Sequence, residues 1–235
     1  MITLGIETSG PTASVALLRD TDCLDYRQLY RVGERPARNL VSEVQMLLLD
    51  CKVQPTDCDT LAVSIGPGSF TGLRIGTVFA KTFAFATDCS LVAVDTFLCV
   101  AHNSPEDVQR VWVVGDALRG DVYAGCYRRL GPGTWTAEHP PEIATAATWS
   151  AQLDAGDVVT GPGLQTIKLD RDRDYRALDE SHWHPRANRL AEIGAALAGD
   201  GQLQDPFRLC PTYLRRSSAE DTWETQKQPS KSGRK

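Results

Sequence analysis

The stretch that most restricts what this chain can become is TLAVSIGPGSFTGLRIGTVFAKTFAFA, residues 60–86. TLAVSIG is compact and β-branched, as a buried strand is, and Gly66, Pro67 and Gly68 then interrupt it. Apolar residues at helical spacing predict a helix from Leu73 to Ala86. A strand, a glycine loop and a helix in that order belong to an α/β protein, where the strand after the crossover runs parallel to the one before it. Three explanations of the glycines compete. A phosphate loop needs a lysine after its last glycine, but Leu73 follows Gly72. A dinucleotide loop needs its third glycine at position 71, which is threonine. Backbone N–H groups from Thr71 to Arg74 can still meet an anion, as at many helix starts. The second explanation is a sharp turn. The third is close packing: Gly72, Gly76, Ala80 and Ala84 form a stripe of small residues, flanked by Ile75, Val78, Phe79 and Phe83. Glycine inside a helix costs about 0.5–1 kcal/mol relative to alanine. A neighbour in the same chain explains that cost as well as a partner subunit does.

ITLGIETSG, TASVALLRD and LDYRQLYRV read as three strands of an antiparallel meander. From Asn39 to Asp50 the period changes, and Leu40, Val44, Leu47 and Leu48 share one helix face. SLVAVDT is another buried strand, and a helix begins over 97–103. The order β-β-β-α-β-α-β then restarts near Pro105 with VWVVGDALRGDVYAGCYRRL. Glu7 and Asp116 occupy matching places, after a strand and before a turn, which predicts a degenerate duplication; two hairpins that merely look alike are the alternative. GPGTWTAEHPPEIATAATW reads as a connection rich in Pro, Ala and Thr, and DVVTGPG as a strand and turn. ANRLAEIGAALAG is a helix with Leu190, Ile193, Gly194 and Leu197 on one side, ended by Gly199 or Gly201. PTYLR is a short strand or turn. The expected division is 1–105 and 106–205 as two halves, 206–216 returning to the first, and 217–235 a disordered polar tail.

The chain has 235 residues, a formal charge of −5 and a pI near 5.4, which argues against a broadly basic nucleic-acid surface. Seven scattered cysteines with no C-x-x-C pair suggest neither a disulfide framework nor a zinc site, and read as buried thiols. No basic leader and no long uninterrupted apolar run is visible, so a cytoplasmic location is expected. The four histidines form no H-E-x-x-H or H-x-x-x-H, and no G-x-S-x-G elbow exists, so metal and nucleophile chemistry find little support. Glu7 and Asp116 could anchor magnesium in a nucleotide cleft; the plainer and favoured reading is that each caps the turn that follows it.

IETS at 6–9, GPGSFTGLRIG at 66–76, AVDT at 93–96, DALRGDVY at 116–123, HPRA at 184–187 and PTYLR at 211–215 together resemble the bacterial TsaB family, also called YeaZ. The resemblance runs to about residue 216, and GPGSFTGLRIG is its most specific part. It implies a duplicated actin-like ATPase fold with ribonuclease-H-like halves. It also implies a non-catalytic role in making N6-threonylcarbamoyladenosine in tRNA. In that family the subunit pairs with its paralogue TsaD, the metal-bearing transferase, and the ATPase TsaE joins them. ATP and metal thus belong to the partners, with no cofactor assigned to this chain and tRNA met through the complex. By the same resemblance the helices at 39–50 and 73–86 meet TsaD through Leu40, Val44, Leu47, Gly72, Leu73, Ile75, Gly76, Phe79, Ala80 and Phe83. An isolated subunit could form a homodimer on that face. Glu7, Thr8, Ser9, Gly68, Ser69, Thr71 and Asp116 would be a vestigial nucleotide or anion loop. Three departures stand out: Arg38-Asn39-Leu40-Val41 lacks the usual histidine and serine, Glu7 replaces a common aspartate, and Leu118 a common arginine. The rivals are an ATP-binding kinase or ATPase of the same superfamily, which needs more glycine-rich loops in the second half, and a peptidase, which needs metal ligands.

Overall fold

The computed structural model describes residues 1–29, 39–167 and 175–215. The first sheet contains β1 (Ile2–Glu7), β2 (Ser14–Arg19), β3 (Asp22–Gln28), β4 (Thr60–Ser64) and β5 (Ser90–Val94), in the order β3-β2-β1-β4-β5. The second contains β6 (Arg110–Asp116), β7 (Asp121–Gly131), β8 (Thr134–Thr145), β9 (Val158–Thr160) and β10 (Arg176–Ala177), in the order β8-β7-β6-β9-β10. In each, the first three strands pair antiparallel and the last two join parallel. The two sheets therefore repeat one topology, and the duplication suggested by Glu7 and Asp116 is real.

Alternation along the strands sorts the helices. Leu4 and Ile6, Val15 and Leu17, Leu61 and Val63, and Leu91 point to one face of the first sheet. There they bury Leu40, Val44, Leu47 and Leu48 of α1 (Leu40–Asp50) and Ala80 and Ala84 of α2 (Phe70–Thr87). The opposite face carries Ala16, Leu18, Ala62, Val92 and Val94, and α5 (Ala187–Gly199) lies across it. Small residues bring α5 in unusually close. A Cβ on Gly194 would stand 2.3 Å from the Ala62 Cβ, and one on Gly5 would stand 2.3 Å from the Ala187 carbonyl oxygen.

This corrects the expected boundary at 205: α5 follows the second sheet in sequence but belongs to the first in space. The exchange is mutual. The helix that follows β5, α3 (Thr96–Ala101), buries Phe97, Val100 and Ala101 against Val111, Val113 and Tyr127 of the second sheet. A second correction concerns 131–149. Instead of a connection, Thr134–Thr145 is the longest strand, followed by α4 (Ala146–Ala151). Pro140 and Pro141 are tolerated because β8 is an edge strand, where a missing N–H leaves no central ladder broken. PTYLR forms no strand, and the predicted helix at Leu73 starts earlier, at Phe70. The end of the third strand, Tyr30–Val32, Arg38 and the 217–235 tail lie outside the described residues. Of the thiols, Cys58, Cys99 and Cys126 are buried, whereas Cys23 and Cys210 are exposed, contrary to the expectation of uniform burial.

Candidate functional site

Between the halves opens a cleft of about 980 Å³. Its walls are the turn after β1 (Thr8, Ser9), the start of α2 (Gly68, Ser69, Thr71), the β6–β7 tip (Asp116, Leu118) and residues 212–215. Six of the seven residues expected to form an anion or nucleotide loop thus converge on one space. Glu7 does not line it. Its carboxylate is fully buried beneath the turn, where Oε1 accepts from the Ser9 N–H and the Ser9 hydroxyl, both at 2.5 Å. Burial pushes that carboxyl above the usual range, against the hydrogen bonds from Ser9. Asp116 accepts from the Leu118 N–H at 2.6 Å. Each carboxylate caps the turn two residues on, the plainer of the two roles read from sequence. Among the described residues, no three His, Cys, Asp or Glu side chains cluster as metal ligands do.

The glycines are there for close approach, but to the chain's own turn. A Cβ on Gly72 would lie 1.9 Å from the Thr8 carbonyl oxygen, and one on Gly76 2.3 Å from the Thr8 hydroxyl. The Thr8 hydroxyl donates to the Gly72 carbonyl at 2.8 Å, and Ser9 accepts from the Ser69 N–H at 2.7 Å. Ser69 caps α2 by accepting from the Gly72 N–H at 3.2 Å. The expected docking stripe is therefore corrected: Gly72, Leu73, Gly76 and Ala80 face inward, as do Leu40, Val44 and Leu47. The four-residue period finds a face without saying which way it points. Of the ten residues named for that surface, Ile75 is exposed and Phe79 and Phe83 are half-buried, their rings stacked at 5.8 Å. Among what α1 and α2 present outward are large apolar side chains: Val41 (68% exposed), Met46 and Leu49 on α1, and Val78 (63%) and Phe85 (73%) on α2, beside polar residues such as Gln45 and Arg74.

DVVTGPG reads from sequence as a strand and turn, but its match to the first glycine loop was missed. Gly161-Pro162-Gly163 follows β9 as Gly66-Pro67-Gly68 follows β4, and both leading glycines have φ +117°. The signal, the same tripeptide after the equivalent strand, was present in the sequence. Behind the cleft, Asp95 caps α3 by accepting from the Phe97 N–H at 2.8 Å and accepts from the Tyr127 hydroxyl at 2.5 Å, tying α3 to β7. Burial raises both the Asp95 carboxyl and the Tyr127 phenol, and the Asp95 carboxylate adds to the rise of the phenol.

Two mixed five-stranded sheets of one topology, exchanging helices around a cleft walled by strand-end turns, define a duplicated α/β fold. A family model described as "TsaD: tRNA N6-adenosine threonylcarbamoyltransferase" matches residues 33–156. The tRNA threonylcarbamoyladenosine biosynthesis protein TsaB of Bacillus subtilis (strain 168) is 31% identical over 97% of this chain and 100% of its own length. Its counterpart in Escherichia coli (strain K12) is 28% identical over 92% and 95%. YeaZ from Pseudomonas aeruginosa shares the fold with a TM-score of 0.79, at 24% identity over 91% of this chain and 99% of that one. The chain belongs to the TsaB family.

Proposed function

We propose that the chain is a non-catalytic subunit in the formation of threonylcarbamoyladenosine on tRNA, pairing with the transferase TsaD and, in that pair, recruiting TsaE. The observation that carries the pairing is the set of large apolar side chains that α1 and α2 expose, Val41, Leu49, Val78 and Phe85, on two helices packed over one sheet face. Helices that bury one apolar side and expose further large apolar residues call for a second layer, and a paralogue offers matching helices. The commitment of Glu7 and Asp116 to their own turns supports a scaffold over a catalyst. ATP, metal and tRNA then enter through the assembled complex. The same face would hold two copies together when the partner is missing.

Val78→Asp combined with Leu49→Asp tests this by co-purification and calorimetry with TsaD. Neither site is buried, so stability should move by no more than about 0.5 kcal/mol per substitution, while affinity for TsaD falls at least tenfold. Undiminished affinity would overturn the assignment of the face. The cleft itself favours a second reading, an ATP-binding member of the same superfamily. Calorimetry with ATP and magnesium separates the two: heat of binding accompanied by turnover on the isolated chain supports the enzyme.

A further inference from the structure

The chain crosses between its halves after β5 and again before α5. At these crossings Asn103 Nδ2 donates to the His184 carbonyl at 2.8 Å and His182 Nδ1 to the Asn103 carbonyl at 2.5 Å. A third connection is made without a crossing. After α5 the chain returns along the first half: the Gln204 N–H donates to the Leu91 carbonyl at 2.8 Å, and Lys81 of α2 donates to the Leu209 carbonyl at 3.2 Å. The Thr212 N–H then donates to the Ile65 carbonyl at 2.7 Å, so close that a Cβ on Gly66 would lie 2.8 Å from the Thr212 oxygen. Tyr213 packs on Phe70 with ring centroids 4.5 Å apart, tilted by 36°, and accepts from Arg74 Nε at 3.2 Å; the same guanidinium lies 4.1 Å from the Phe70 ring centre.

Two residues on, the contacts change sides. Arg215 forms an ion pair with Asp121 and donates through Nη1 to the Leu118 carbonyl at 3.3 Å. Both acceptors belong to the β6–β7 tip, whose Leu118 and Arg119 hold φ of +65° and +58°, a left-handed backbone that non-glycine residues adopt only when their surroundings impose it. Asp116 fixes the tip from within its own hairpin, and Arg215 fixes it from the other half.

We propose that residues 211–215 form a clasp across the mouth of the cleft. Tyr213 and Thr212 fasten one end to α2 and the loop after β4, Arg215 fastens the other to the β6–β7 tip, and the clasp sets how far the halves open. Nothing in this depends on the docking face proposed above, since it concerns contacts within one chain.

Hydrogen exchange of the full chain without any partner tests it, comparing the wild type with Arg215→Ala and Tyr213→Ala. The readout is the amides of Ala117 and Asp121, which close the tip by bonding to the Asp121 and Leu118 carbonyls. Arg215→Ala should accelerate their exchange about tenfold while peptides from β1, β4 and α5 keep their rates. Tyr213→Ala should accelerate the same two amides although Tyr213 has no bond to the hairpin, an effect that a purely local role for Arg215 would not produce. Unchanged exchange at the tip in Arg215→Ala overturns the clasp. So does a response to Arg215→Ala with none to Tyr213→Ala, or an equal rise in every peptide.

Discussion

The two halves of the molecule share a strand order and a Gly-Pro-Gly turn, yet differ in what the turn introduces. After β4, Gly68 is pressed against Ser9, with a Cβ there 2.6 Å from the Ser9 carbonyl oxygen, and the 18-residue α2 follows. After β9, Gly163 is pressed against the end of β6, 3.0 Å from the Val114 carbonyl oxygen, and a four-residue 3-10 turn, Pro162–Gln165, follows. The tripeptide thus seats whatever comes next against the carboxyl end of the first strand of its sheet. The duplication kept that joint in both halves and a long helix after it in one, where the outward apolar side chains now lie.

The sharpest way to break this comparison is Gly76→Leu. The side chain would have to displace the Thr8 hydroxyl, and we expect a loss of about 3–4 kcal/mol, a fall in Tm of about 10 °C, read by calorimetry. An unchanged Tm would mean that α2 does not rest on the β1 turn. A docking stripe, as the resemblance implied, would instead leave the variant folded and cost it only its partner. Gly161→Ala asks the same of the second half. With φ at +117° and a Cβ 2.3 Å from the Val114 carbonyl oxygen, about 2–3 kcal/mol should be lost. A neutral result would show that the two turns are not equivalent.

The smallest effect probes the exchanged helices. His102 ends α3, and burial, with Arg189 and Arg129 nearby, lowers its pKa to about 4. The folded state holds it neutral, so its contribution is fully present above about pH 6.5 and is lost as pH falls toward 4. His102→Gln should flatten the stability profile in that window by on the order of 2 kcal/mol, as urea titrations at pH 4.5 and 7 would show. A parallel decline in wild type and variant would place the acid sensitivity elsewhere.

Local structure was legible wherever a single period ran unbroken. The helix ANRLAEIGAALAG spans Ala187–Gly199 as read, and α1 begins one residue late at Leu40. The strand at Thr134–Thr145 was hidden because Pro140 and Pro141 count against a strand unless its edge position is known, and that position is a property of the sheet. The same limit explains the docking stripe. Gly72, Gly76, Ala80 and Ala84 announce a close contact, but only Thr8 and Val63 beneath them reveal with what. For the site, the turns at Glu7 and Asp116 were readable because they sit at strand ends, while the anion-loop residues were grouped only by the resemblance. Arg215 was not, since its partners Leu118 and Asp121 lie about a hundred residues away in sequence.

The traded helices have a bearing on how such a chain can be taken apart. Severed near Pro105, the leading piece would keep α3 with no sheet to sit on and leave Ala62, Val92 and Val94 bare, while the trailing piece would carry α5 as an orphan. Neither fragment owns a complete interior, so the ancestral repeat can no longer stand alone; only the two pieces mixed together would regain a fold, each lending the other its missing wall.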